Sequence, residues 1–320
     1  MLSEGNQSII PTFILLGFSE YPGLQVPLFL TFLSTYTVTV VGNLGMIIII
    51  RINPKLHTIM YFFLSHSLVF VDFCYSTIVT PKLLENLVVG DRTISFTECI
   101  MQFFLACIFA IAETFMLAVM AYDRFVAVCN PLLYTVVMSQ KLWASLVGGP
   151  YAWGIVASLT LTYFLLTLSF CGSTIINNFV CEHSVIVSVS CSDPYIIQVL
   201  CFLFAIFNEV SNLVIIFATL FISVTVIKMP SNGGRQKIFS TYASHLTAIA
   251  IFHETVLFLY CVPHSKTSWL IVKVESVFYT VVIPMPNPLI YKQRCEGDCQ
   301  KVHEPPNTIL KIYVFFWKEF

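Results

Sequence analysis

The sequence predicts an all-α protein built as a bundle of seven transmembrane helices, and three observations carry that expectation. Of the 320 residues, 57% are hydrophobic and only 10% charged, with a mean hydropathy of +0.84; a soluble domain carries roughly 25% charged residues. Seven apolar stretches reach the length of about 20 residues that a helix needs to cross a hydrocarbon core of roughly 30 Å. Basic residues gather in alternate loops, as cytoplasmic loops do. A net charge of −1 gives no bulk attraction to nucleic acid, so lipid is the medium and nucleic acid is not a partner.

Taken in order, the spans fall near 26–50, 58–79, 98–122, 142–166, 197–227, 238–262 and 270–291. Residues 1–25 form an outer tail, 26–291 the seven-helix domain and 292–320 an inner tail. Met1 to Ser8 is polar and has no cleavable apolar core behind a basic start, so the first span is expected to act as an uncleaved anchor. The fifth stretch is overlong and should project from the bilayer at one end. Loops after spans 1, 3 and 5 hold Arg51, Lys55, Lys141, Lys228, Arg235 and Lys237, whereas the alternate loops hold Glu85, Asp91, Glu182 and Asp193. This asymmetry puts the N-terminus outside and the C-terminus in the cytoplasm. Asn6-Gln7-Ser8 is then a glycosylation acceptor on the outer side. No internal or inverted repeat of the kind that builds secondary transporters is visible.

Charge is costly in the bilayer, about 2.5–3.5 kcal/mol per group at a helix centre. Asp123 and Arg124, which close the third apolar run before Pro131, should therefore sit where that span meets water, pairing with each other. An Asp-Arg there is either a topogenic anchor or a switch. Five further acids lie inside apparent spans: Asp72, Glu113, Glu209, Glu254 and Glu275. Each is expected to face the bundle interior.

The cysteines divide by place. Cys99 opens span 3 on the outside, and Cys171, Cys181 and Cys191 follow at ten-residue intervals in the loop after span 4. Four cysteines in an oxidising compartment read as two bridges with three connectivities open. Cys295 and Cys299 in the inner tail lack the further ligands a metal would need.

Several stretches sit together at the correct ends of the correct spans: Gly42-Asn43; Leu56-His57-Thr58 with Met60 to Ser65; Met120 to Cys129; Lys237 to Thr241 with Ser244-His245; and Pro284-Met285 with Asn287-Pro288-Leu289-Ile290-Tyr291. On these the chain, from about Phe13 to Tyr291, resembles the olfactory receptors, seven-helix G-protein-coupled receptors of the rhodopsin type. The resemblance implies a multi-pass plasma-membrane protein that binds small volatile organic ligands and activates a heterotrimeric olfactory G protein to raise cyclic AMP. Retention in the endoplasmic reticulum is the alternative fate.

The resemblance also assigns roles. Asp123 and Arg124 form the inner switch, with Arg124 released on activation, and Asn287, Pro288 and Tyr291 place a hinge in span 7, because an internal proline kinks a helix. Cys99 pairs with Cys181, and Cys171 with Cys191. Asp72 and Glu113, with Asn43 and Asn287 as neighbours, match the position of a sodium cluster in related receptors; the other reading is two protonated carboxyls sharing a hydrogen bond. No other cofactor is implied. A ligand pocket is expected in the outer half between spans 3, 5, 6 and 7. Ala106, Cys107, Phe109 and Ala110 would form its apolar wall, and Asn208, His253, Tyr260 and Thr280 its polar contacts; ordinary packing is the competing role for each.

The chain departs from the family pattern at Ile59, Phe125, Glu98, Glu254, Thr219-Leu220 and Pro286, and in the tail after Tyr291. These departures leave a second reading, a nonsignalling, degenerate member of the family. A cation path through Asp72, Glu113 and Glu209 would need acids on one continuous face. An intramembrane enzyme would need a paired nucleophile and base, and neither Gly-x-Ser-x-Gly nor His-Glu-x-x-His occurs.

Overall fold

A computed structural model describes residues 12–19, 22–52, 68–129, 132–170, 174–227, 273 and 276–277. Strand β1 (Thr12–Leu15) leads through a single 3-10 turn at Pro22–Leu24 into α1 (Gln25–Ile52). There follow α2 (Val69–Val88), β2 (Thr93–Ser95) and the long α3 (Phe96–Cys129). A short inner loop helix, α4 (Tyr134–Val137), precedes α5 (Gln140–Leu166). The outer loop then contributes β3 (Ile175–Ile176) and α6 (His183–Ser188) before α7 (Tyr195–Ile227). Lys273, Ser276 and Val277, from the seventh predicted span, are helical.

The first five predicted spans correspond to α1, α2, α3, α5 and α7. Among the described residues, Pro22–Ile52, Phe96–Met120 and Gln140–Leu166 are long and apolar enough to cross a bilayer. α3 lies at the centre, packing on α2, α5 and α7, while α1 packs on α2. Outward faces carry exposed Leu30, Ile48, Val156, Tyr163, Phe202 and Phe217, as suits helices whose solvent is lipid.

Two helix ends fall elsewhere than expected. α2 continues past residue 79 to Val88, carrying the Lys82–Glu85 ion pair of 2.9 Å on its last turns. It stops where Gly90, at φ +73°, supplies the left-handed residue that ends many helices. α3 continues past 122 to Cys129, so Asp123 and Arg124 lie within the helix. Nothing breaks it before Pro131, which biases the residue ahead of it away from helix.

The start of α3 explains one departure. The Ser95 hydroxyl, at 2.8 Å, and amide, at 3.0 Å, donate to Glu98 Oε2, and the Glu98 amide donates to Ser95 Oγ at 3.2 Å. This is a reciprocal capping box that satisfies donors at the helix N-terminus.

On the outer side a small sheet runs in the order β2-β1-β3, an addition to the all-helical expectation. β1 pairs antiparallel with β2, Phe13 opposite Ile94, and parallel with β3, Ile14 opposite Ile175. Its alternate side chains Phe13 and Leu15, 1% and 0% exposed, enter a cluster with Cys99, Cys181, Leu165 and Ile186. The tail thus packs as the middle strand of a lid.

Candidate functional site

At the inner end, Asp123 is only 2% exposed and accepts a hydrogen bond from the Tyr134 hydroxyl at 2.8 Å. The sequence places this carboxylate at the water boundary; α4 covers it instead, because a charge-assisted hydrogen bond is among the stronger kinds. The Arg124 backbone is helical, and its side chain lies outside the described part.

In the middle of the bundle, Asp72 on α2 and Glu113 on α3 are 0% and 4% exposed and interact electrostatically. Two carboxyls brought together in a water-poor interior need a shared proton or a cation between them. Asn43 on α1 is fully buried, and among the described residues neither its amide oxygen nor its nitrogen is hydrogen-bonded. Buried carboxyl and amide oxygens are a hard donor set, which fits a small hard cation.

At the outer end, Cys99 and Cys181 are disulfide-bonded, with Cα atoms 5.4 Å apart, and fasten the loop after α5 to the start of α3. Cys191 is also in a disulfide; Cys171 lies outside the described residues. Gln102, 7% exposed, makes a second tie. Its Oε1 accepts from the Cys181 amide at 3.0 Å, and its Nε2 donates to the Ile78 carbonyl of α2 at 3.2 Å.

The residues expected to wall a pocket separate onto two faces of α3. Ala106, Phe109 and Ala110 are partly buried against a cluster of Phe32, Tyr75, Val79, Phe179 and Val180, together with Val277 of the seventh span. Phe109 also meets Phe70 edge-on, with centroids 6.2 Å apart. Cys107 packs against the other cluster, the one that holds Leu161 and against which Cys201 also packs. The i, i+3, i+4 spacing of a helix accounts for the division. Asn208 stands on α7, partly buried. His253, Tyr260, Thr280, Asn287, Pro288 and Tyr291 lie outside the described residues, as do Asn6, Glu254 and Pro286.

A family profile described as "Olfactory receptor" matches residues 32–304. The chain belongs to the olfactory receptor family. The receptor is 74% identical to human olfactory receptor 5D13 over 92% of its own length and 94% of the relative's. It is 65% identical to mouse olfactory receptor 1165, covering 92% and 93%, and 66% identical to human olfactory receptor 5D18, covering 94% and 96%. It is therefore a rhodopsin-like G-protein-coupled receptor with the seven-helix bundle, multi-pass in the plasma membrane, and not an enzyme. The profile continues past Tyr291 to residue 304, so the resemblance does not stop at the end of span 7.

Sequence reasoning missed Tyr134 and Gln102 in the receptor. Tyr134 sits eleven residues after Asp123, beyond any local spacing rule. A polar residue one turn into an apolar span, three places after the bridge cysteine, was a usable signal for Gln102.

Proposed function

We propose that the receptor binds small, volatile, mainly apolar organic molecules in the outer half of its bundle and responds by activating a stimulatory olfactory G protein, which raises cyclic AMP. The observation that supports this most is the partly buried, mostly apolar face of α3 at Ala106, Phe109 and Ala110 beneath a lid fixed by the Cys99–Cys181 bridge. Cavities with sparse polar groups suit such ligands. A ligand shifts the resting and active populations only by its differential affinity for the two. Arg124, with Asn287, Pro288 and Tyr291, would carry the change to the cytoplasmic side, with the N-terminus and a glycan on Asn6 outside. Asp72 and Glu113, with Asn43, would hold a sodium ion, whose charge would balance the paired carboxyls.

The test expresses the surface-tagged receptor with the olfactory G protein and reads surface label, glycosidase sensitivity and cyclic AMP across an odorant panel. A saturable response to at least one small apolar odorant is expected. Surface-labelled receptor silent to the whole panel and without basal signal would favour the nonsignalling reading.

Tyr134→Phe asks what the inner hydrogen bond does. Hydrogen bonds to charged groups contribute about 1.5–3 kcal/mol, and the carboxylate left behind is buried, so it should take the donor next to it, Arg124. Tighter holding of Arg124 is expected to lower basal and stimulated cyclic AMP by about threefold or more, with surface label unchanged. A rise in basal signal would reverse the role given to Tyr134.

A further inference from the structure

The outer loop is tied to the seventh span as well as to the third. The Ser276 hydroxyl, 0% exposed, donates to Glu182 Oε1 at 2.7 Å and receives a longer contact of 3.5 Å from Asn178 Nδ2. Asn178, also 0% exposed, is held on its other sides: its Oδ1 accepts from the Phe179 amide at 2.8 Å, and its carbonyl accepts from the Gly17 amide at 3.2 Å. Lys273, one turn before Ser276, is 2% exposed, so a buried ammonium shares that helical face. One serine therefore joins the tail strand's end, the lid and the seventh span.

We propose that Ser276 is a positioning residue: its hydroxyl latches Glu182 and Asn178 of the lid to the seventh span, so that a ligand lifting or settling the lid moves that span directly. The lid cannot slip along α3, because Cys181 is bridged to Cys99 and its amide is held by Gln102. Among the described residues, movement at Asn178 and Glu182, on either side of that fixed point, reaches the seventh span through the hydroxyl of Ser276. Ser276 stands eleven residues before Asn287 in the same predicted span, so the latch and the predicted hinge belong to one element of the sequence. Phe179, one residue from Asn178, packs in the same cluster as Phe109, Ala110 and Val277. A molecule seated on that face of α3 presses on the latched segment. This role rests on the ligand-driven signalling proposed above, and the latch itself is tested without a ligand.

Hydrogen exchange on the purified, ligand-free full chain should show Ser276→Ala raising exchange about tenfold at the Gly17, Phe179 and Glu182 amides, the loss expected from one hydrogen bond to a charged acceptor. The α5 amides should stay unchanged. Ser276→Thr, which keeps a hydroxyl, should restore protection. Glu182→Gln, which keeps an acceptor without its charge, should fall between, since neutral hydrogen bonds are about half as strong. In cells, Ser276→Ala is expected to raise the half-maximal odorant concentration about tenfold at equal surface label. Unchanged lid exchange in Ser276→Ala, or exchange rising equally throughout α5, would overturn the latch whatever the signalling. Lid exchange that rises in a receptor answering no odorant would keep the latch and remove the function proposed for it.

Discussion

Replacing Cys99 is expected to remove the receptor from the cell surface, with label falling about tenfold or more and thermal stability dropping steeply. The bridge joins residues 82 apart, and closing a loop of that length restricts the unfolded chain by about 4.5 kcal/mol in the entropic treatment. The loss does not stop at the bond. Cys99 and Cys181, 0% and 2% exposed, sit in the cluster that also takes Phe13, Leu15 and Ile176. Releasing the loop therefore loosens the central strand of the outer sheet, and Phe and Leu side chains returned to water cost about 1.5–3 kcal/mol each. Serine adds a hydroxyl where no partner is arranged, so Cys99→Ala separates loss of the bridge from burial of a polar group. Cys99→Ala, Cys181→Ala and the double variant should all fail to the same extent, because each removes one shared bond. Any of the three reaching the surface within about twofold of the parent would show that the hydrogen bond from the Cys181 amide to Gln102 and the sheet hold the lid without the disulfide.

How much was legible follows from the length over which each signal is repeated. A span repeats its apolar signal over about 20 residues, so five of the seven predicted stretches have helices of at least 20 residues to set beside them. Their ends depend on single residues. α2 runs on to Val88, where Lys82 and Glu85 satisfy each other on its last turns, and α3 runs on because its charged pair does not break a helix. β1 spans four residues, too few to stand out, and it is a strand only because β2 and β3 flank it. Asp72 and Glu113 were conspicuous as acids among apolar neighbours. Asn178, Gln102, Tyr134 and Ser276 were not, since a lone polar residue in a loop or near a span end declares no partner. Glu98 was misread in the opposite sense: out of pattern for the family, it is in pattern for a helix start.

Gly154→Leu is expected to be the most damaging single change inside the bundle. A Cβ at Gly154 would stand 2.9 Å from the Ile108 carbonyl oxygen and 3.5 Å from its Cα, so even alanine requires α5 and α3 to separate. The obstacle is backbone, which cannot rotate aside as a side chain can. Small residues permit such close helix approach in membranes, and the buried Ala157, Ser158 and Leu161 continue the same contact. Overfilling a packed interior costs about 1–3 kcal/mol, which a thermal melt of purified receptor would register as a clear drop, graded from Ala through Val to Leu. Ile108 lies between Cys107 and Phe109, so a displaced α3 also moves the proposed ligand wall, and the half-maximal odorant concentration should rise in the same order. Gly149 is the internal control. It is on the same helix with nothing within 4 Å of its own added Cβ, and alanine there should be neutral or slightly stabilising, by about 1 kcal/mol at most. Equal melts for Gly154→Leu and the parent would mean that α3 and α5 do not touch where their backbones are placed. Equal losses at 149 and 154 would point to helix formation in lipid, and away from the contact with Ile108.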